Sequence, residues 1–458
     1  MRHKIICGHV LDVLKTLPDE SVDTIVTSPP YWGLRDYGEE TNTIWSGDSN
    51  CKHEWDNEIV IKQRGDFSKA NVGNNRKGVN PQYLRRGQFC KKCGAWYGQL
   101  GLEPTLDLYI EHLMDVMREL KRVLKKTGTI WWNHGDNYGT SGSYSTRASM
   151  GAPTTDEGLF GGGRRVRNRD IVPVDKAIPP KCMALQNYRF ILRCVDELGL
   201  ILRNVIIWHK PNHMPSSVKD RFTNAYEPVF MLTKSKDYYF DLEAVRVPHK
   251  EPQRSGKKES NNPHTYQHGI DTWCVPRYRI YNPFGKNPGD VWTISTQPFP
   301  EAHFATFPEK LVEPMIKAGC PQWICKKCGN PRERIVKIRV NEDKVPDRWK
   351  KTYRGKVELP NSPTHRSVSE LYKEALSKER YTIGWTDCGC GAGWEAGVVL
   401  DPFAGSGTVG IVAERLGRNS ILIDLNKEYC EMALRRLKPL AAQKKLTGEE
   451  SIIETEGF

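Results

Sequence analysis

Six consecutive residues, Thr27-Ser28-Pro29-Pro30-Tyr31-Trp32, close an apolar run and gather several chemistries in one short stretch. Each proline fixes φ, removes a donor and restricts the residue before it, so the backbone is held extended with carbonyls free to accept. The Ser28 side chain and the Pro29 carbonyl could together hold both hydrogens of an amino group. The Tyr31 ring offers a surface on which a flat base could stack, and Trp32 could wall such a pocket. Taken alone, the same six residues are equally well explained as a proline-rich turn capped by aromatic packing.

A second stretch, Asp401-Pro402-Phe403-Ala404-Gly405-Ser406-Gly407-Thr408, places an acid and a Gly-x-Gly loop between an apolar run and a helix-period segment. Gly405 and Gly407 let the backbone approach a nucleotide-like cofactor closely, and the next apolar run ends in Asp424, suitably placed for ribose hydroxyls. A tight strand-to-helix turn would explain the glycines but not the two acids.

The cysteines form a third pattern. The pentapeptide Cys-Lys-Lys-Cys-Gly occurs twice, beginning at Cys90 and at Cys325. With Cys51 and His53, the pair Cys90 and Cys93 makes one set of four ligands, and Cys325 and Cys328 with Cys388 and Cys390 make another. Each could close a tetrahedron around a structural zinc ion, the glycine letting the chain turn over the metal. Cys320 could replace a ligand of the second set, whereas Cys7, Cys182 and Cys194 sit in apolar segments and read as packing. Unpaired surface or core cysteines are the plainer alternative.

The elements that must position these residues follow an α/β rhythm. Residues 5–7 and 24–27 read as buried strands, with Leu11, Leu14 and Leu17 on a helical stripe between them. Ile110, Leu113, Met117, Leu120 and Leu124 recur at helical spacing, Gly128 reads as the stop, and residues 129–133 form the next strand. Residues 199–209 and 226–233 continue the pattern. Residues 398–400 predict a strand, 408–416 a helix stopped by Gly417, and 420–424 a further strand. The expected fold is a doubly wound, mostly parallel sheet of Rossmann-like type carrying insertions.

The predicted division is a catalytic core over 1–50 and 105–245, interrupted by a Cys/His insertion at 51–104. A mobile, glycine-rich basic loop at 139–169 carries Arg164, Arg165, Arg167 and Arg169, which are suited to phosphates. A polar, basic segment with interleaved aromatics follows at 246–289. Core returns at 290–319, a charged Cys-rich insertion spans 320–396, the cofactor part lies at 397–445 and a tail at 446–458.

The 458 residues carry a net charge of +13, which favours a polyanionic partner, although solvated lysine faces give many proteins such a balance. Mean hydropathy is -0.60, and no apolar run approaches membrane-spanning length. The first ten residues lack signal-peptide features and read as a strand. Cytoplasmic residence is expected, and the thirteen cysteines then favour metal over disulfides.

Together the two loops resemble those of the DNA amino-methyltransferases, in which a (Ser/Asp/Asn)-Pro-Pro-(Tyr/Phe) loop receives the base and a Phe-x-Gly-x-Gly loop holds S-adenosylmethionine. The order, catalytic loop first and cofactor loop last, resembles the permuted β class. The resemblance extends to residues 203–212, Arg221, Glu227 and residues 303–311. It implies a soluble, prokaryotic or phage-encoded enzyme acting on double-stranded DNA as a monomer or homodimer. A cognate restriction endonuclease would be a separate protein.

In that reading Ser28, Pro29, Pro30 and Tyr31 are catalytic. Asp401, Pro402, Phe403, Gly405, Ser406, Gly407, Thr408 and Asp424 hold the cofactor, and residues 246–289 read the target. DNA contacts fall to Trp32, Lys210 and the arginines of 139–169. Ser at the first loop position is associated mainly with cytosine N4, and Asp with adenine N6, so cytosine N4 is the expected target and adenine N6 the alternative. One departure is Gly8-His9 where the family usually has Gly-Asp near the cofactor's adenine. Competing expectations are methylation of RNA or of a protein amine, and a zinc-stabilised DNA-binding protein without turnover.

Overall fold

The structure is a computed structural model, and it describes residues 2–33, 37–62, 83–139, 143–146, 171–173, 178–248, 285–297, 307–340, 378–442 and 451–458. The described chain divides into two compact units, one of residues 1–240, 290–323 and 395–458, the other of residues 241–289 and 324–394.

The first unit is built on a nine-stranded sheet. Its elements in chain order are β1 (Arg2–Cys7), α1 (Val10–Thr16), β2 (Val22–Thr27), α2 (Leu106–Val123), β3 (Leu124–Asn133), α3 (Gln186–Asp196), β4 (Ile201–His209), β5 (Tyr226–Thr233), β6 (Val291–Thr293), α4 (Glu309–Gly319), β7 (Val398–Asp401), α5 (Thr408–Arg415), β8 (Asn419–Asp424), α6 (Lys427–Ala442) and β9 (Ile452–Glu456). The strands lie in the order β6-β4-β5-β3-β2-β7-β8-β1-β9. All neighbours are parallel except β5, which runs against both β3 and β4. The sheet is therefore mixed and mostly parallel, as expected from the sequence, with the one antiparallel strand, β5, entering through a hairpin with β4.

The central strands carry almost nothing but buried residues: all six positions of β2 are buried, as are the last six of β3. Covered on both faces, such strands read as continuous apolar runs rather than alternating ones. In α2, the Thr105 hydroxyl caps the Leu108 N–H, and Ile110, Leu113, Met117 and Leu120 are buried as their spacing requires. The predicted stop at Gly128 is not where this helix ends. It gives way to strand directly at Leu124, and Gly128 lies inside β3, where a Cβ would meet the Leu124 side chain at 2.5 Å and the Asp23 carbonyl at 2.9 Å. The expected tail likewise contains structure, since β9 pairs in parallel with β1 and covers it.

A second sheet in this unit is antiparallel throughout, with six short strands in the order Thr43–Trp45, Trp96–Gly98, Tyr83–Phe89, Ile59–Lys62, Ser143–Thr146 and Ile171–Pro173. The Cys/His insertion thus shares a sheet with four residues of the segment expected to be a mobile loop. Described residues of the second unit include a long hairpin, Arg334–Val340 against Lys378–Trp385. Arg332 and Arg334 lie over the rings of Trp394 and Trp385 there.

Candidate functional site

Neighbouring parallel strands deliver their next residues to one edge. Ser28 follows β2, Asp401 ends the adjacent β7, Asp424 ends β8 beyond it, and His134 follows β3 on the other side. Because β5 is reversed, its first residues reach the same edge and bring Glu227. This is the ligand-binding edge of an open α/β sheet.

The two loops read separately in the sequence are joined by a hydrogen bond. Thr27 Oγ1 donates to Asp401 Oδ1 at 2.7 Å, and the Phe403 N–H donates to the same oxygen at 3.1 Å. Asp401 Oδ2 is buried with no partner. Burial lifts the Asp401 carboxyl to about 7, with the charge of Asp424 adding to it. Burial also lifts Asp424, to about 6, against hydrogen bonds from Asn426 and Gly405. Asp424 Oδ2 accepts from the Gly405 N–H at 2.7 Å, which folds the glycine loop back onto β8.

The loop's two glycines face different surroundings. At Gly405, φ is +50° and a Cβ would meet nothing within 4 Å. At Gly407, φ is +75° and a Cβ would lie 2.6 Å from the Cβ of Ala433 in α6. The first is open to a ligand, whereas the second is demanded by close packing. Pro402, Ser406 and Thr408 are buried and Phe403 half-buried. Arg436 of α6 donates to the Ser406 carbonyl at 2.6 Å and hydroxyl at 2.9 Å, so these hydroxyls shape the turn from behind.

On the other loop, the Ser28 and Tyr31 hydroxyls lie 3.1 Å apart. The Tyr31 hydroxyl is also 3.3 Å from Asn133 Oδ1 and 3.2 Å from Glu227 Oε2, so a single proton serves several acceptors. Burial and the Glu227 carboxylate push its pKa well above the ordinary tyrosine value, keeping it a neutral phenol. One face of the ring stacks on His134 at 5.2 Å between centroids. Tyr109 donates to the Pro30 carbonyl at 2.7 Å, while among the described residues no donor reaches the Pro29 carbonyl. The prolines therefore present one occupied and one open acceptor.

Trp32, expected to wall the pocket, is buried in the core, its indole N–H donating to the Glu103 carbonyl at 2.9 Å. It anchors the loop from below. Lys210 pairs with Glu227 and lies 4.1 Å from the Trp208 ring centroid, within one charged group with Tyr31. Arg164, Arg165, Arg167 and Arg169 lie outside the described residues. His9 immediately precedes α1, edge-on to Trp45, and burial lowers its pKa, which favours the neutral ring.

Sequence reading passed over Asn133, His134 and Tyr109. The available signal for the first two was position: Asn133 ends β3 and His134 follows it, the first polar residues after the apolar run Ile130, Trp131 and Trp132. Burial holds His134 neutral, with its pKa lowered to about 3.

Both cysteine sets come together. Each group of four has its ligand atoms within 4.8 Å of one another. The two pentapeptides also fold alike: Gly94 and Gly329 have φ of +74° and +70°, and their N–H groups donate to the carbonyls of Cys90 and Cys325, both at 2.9 Å. Cys320 is buried at the end of α4 and lies outside the cluster. Cys194 is buried, Cys7 half-buried, and Cys182 is exposed rather than packed.

A family model described as DNA methylase (N6_N4_Mtase) matches residues 22–323 and 394–435. The Type II methyltransferase M.Cfr9I of Citrobacter freundii is 29% identical over 440 residues, covering 94% of this chain and 86% of that protein. The Type II methyltransferase M.SmaI of Serratia marcescens is 26% identical over 434 residues, covering 95% and 90%. Among solved structures, the PvuII DNA methyltransferase (cytosine-N4-specific) aligns over 99% of this chain and 96% of its own, with 14% identity and a TM-score of 0.43.

Proposed function

We propose, from the premise that this chain belongs to the N6/N4 DNA methylase family, that it transfers a methyl group from S-adenosylmethionine to the exocyclic amine of a base flipped out of double-stranded DNA, cytosine N4 ahead of adenine N6. The observation that carries this reading is the Thr27 to Asp401 hydrogen bond, which fixes the base-receiving loop against the cofactor loop.

The residues fit the cofactor. Asp401 Oδ2 is a buried acceptor without a donor, Gly405 leaves open space, and Asp424 keeps unused lone pairs beside the loop. When bound there, S-adenosylmethionine supplies an electrophilic methyl group. An exocyclic amine is a poor nucleophile because its lone pair is delocalised into the ring. Ser28 Oγ and the Pro29 carbonyl, by accepting its two hydrogens, favour a tetrahedral nitrogen whose lone pair is free to attack in line. Tyr31, held by Ser28, Asn133, Glu227 and the His134 ring, offers its remaining face to the base. The preference for cytosine rests on Ser28, since the resemblance associates Ser at the first loop position with cytosine N4 and Asp with adenine N6.

Zinc suits both cysteine clusters, where it would hold insertions whose own cores are small. Its role would be structural. We place the enzyme in the cytoplasm, acting beside a separate restriction endonuclease.

Purified protein given tritiated S-adenosylmethionine should label double-stranded DNA, and digestion to nucleosides should show N4-methylcytosine. Tyr31→Ala should lose most labelling and keep cofactor binding. N6-methyladenine as the product would reverse the base assignment, and absence of label from any mixed-sequence DNA would remove the reading altogether.

A further inference from the structure

The loop between β4 and β5, residues 210–225, leaves the same sheet edge as Ser28. It presents two large apolar side chains to solvent: Phe222 is 97% exposed and Met214 87%. Single exposed apolar residues are ordinary on protein surfaces, so exposure alone assigns Phe222 no role. Phe222 sits on a backbone held from several sides.

The Arg221 guanidinium lies 3.9 Å from the Tyr138 ring centroid and donates to the Phe222 carbonyl at 3.2 Å. Asp220 pairs with Lys181 at 2.7 Å, and the Tyr138 hydroxyl donates to Asn224 at 3.3 Å. The loop's base is closed by the Lys210 N–H on the Ala225 carbonyl at 2.8 Å, and Asn212 exchanges hydrogen bonds with Thr296 at 2.9 and 3.0 Å. These holds run directly into the catalytic loop. Asn137, next to Tyr138, donates to the Trp32 carbonyl, and Glu227, two residues beyond the loop, contacts Tyr31.

We infer that Phe222 is the side chain that enters the duplex when the target base leaves it, a proposal that rests on the DNA-methylation reading above. Flipping a nucleotide leaves a gap in the stack, and an inserted apolar side chain that fills it stabilises the extruded state. Tyr31 cannot do this, because one face is already against His134 and the other belongs to the base pocket. Phe222 is apolar, presented without a protein partner among the described residues, and joined to the base-receiving loop by a short chain of contacts. Lys219, exposed on the same loop, adds positive charge suited to the backbone phosphates beside the gap.

The test begins by sequencing wild-type-modified DNA to obtain the site. Phe222→Ala and Phe222→Leu are then compared on a matched duplex and on one with a pyrene nucleotide opposite the target, which fills the vacated stack itself. Phe222→Ala should lose roughly tenfold in kcat/KM on the matched duplex, the scale of one lost stacking contact. It should return to within about twofold of wild type on the pyrene duplex, and Phe222→Leu should retain most activity. Unchanged S-adenosylmethionine binding confirms that the variant folds. Equal losses on both duplexes, or no loss on the matched one, would overturn the assignment. A wild-type protein that methylates no DNA would instead overturn the reading beneath it.

Discussion

Asp401 shows how one side chain can serve function at a cost to stability. Its ordinary pKa is near 4, and burial lifts it to about 7. A carboxyl whose folded pKa is raised favours the protonated folded form. Its contribution is fully present below about pH 4 and is lost as the pH climbs through about 7. Asp424 acts in the same direction over a narrower range. Asp401→Asn keeps an oxygen for the Thr27 and Phe403 donors while removing the buried charge. Thermal unfolding without cofactor should therefore show the variant gaining on wild type between pH 5 and pH 8, by on the order of a few kcal/mol. A constant difference across that range would mean the carboxylate is not carrying the strain. The sequence marked Asp401 as cofactor-binding from its place before the loop. That Thr27 would be its partner was not legible, because the two residues lie far apart in the chain and only strand pairing joins them.

At the scale of elements, the glycine loop makes a sharper distinction than its motif does. Gly405→Ala meets no atoms within 4 Å and bears mainly the penalty of a left-handed φ, about 1 kcal/mol. It should melt close to wild type yet bind S-adenosylmethionine much more weakly. Gly407→Ala drives a Cβ into Ala433 of α6 and should lower the melting temperature whether or not cofactor is present. Melting curves with and without cofactor separate the two, and equivalent behaviour would argue against the division. Strand and helix limits were largely legible here because buried parallel strands are continuous apolar runs. The reversal of β5 was not, since an apolar run reads the same in either direction. Gly128 misled for a related reason: glycine stops helices, but this one is kept by the close approach of Asp23 and Leu124 within the sheet.

Across the whole molecule, two units each gather one set of candidate metal ligands, three cysteines and a histidine in the first and four cysteines in the second. Metal analysis of unchelated protein should find about two zinc ions per chain. Cys328→Ser should release about one of them and destabilise the second unit while leaving S-adenosylmethionine affinity unchanged. A content far below one zinc per chain would remove the metal from the account. The ligand sets could be read in advance because spacing and the repeated pentapeptide carry the signal locally. The partition was harder to foresee, since residues 241–289 and 324–394 form one unit although core sequence separates them.

The pairing of β9 with β1 also bears on how the protein behaves in solution. An uncovered parallel strand exposes a row of amide and carbonyl groups that can template pairing with another chain. Ile452–Glu456 occupies that row along β1, and its alternation of Glu454 and Glu456 with apolar and neutral residues places acidic side chains on the outermost strand. The last strand thus acts as a guard against edge-to-edge aggregation, a role independent of any step in methyl transfer.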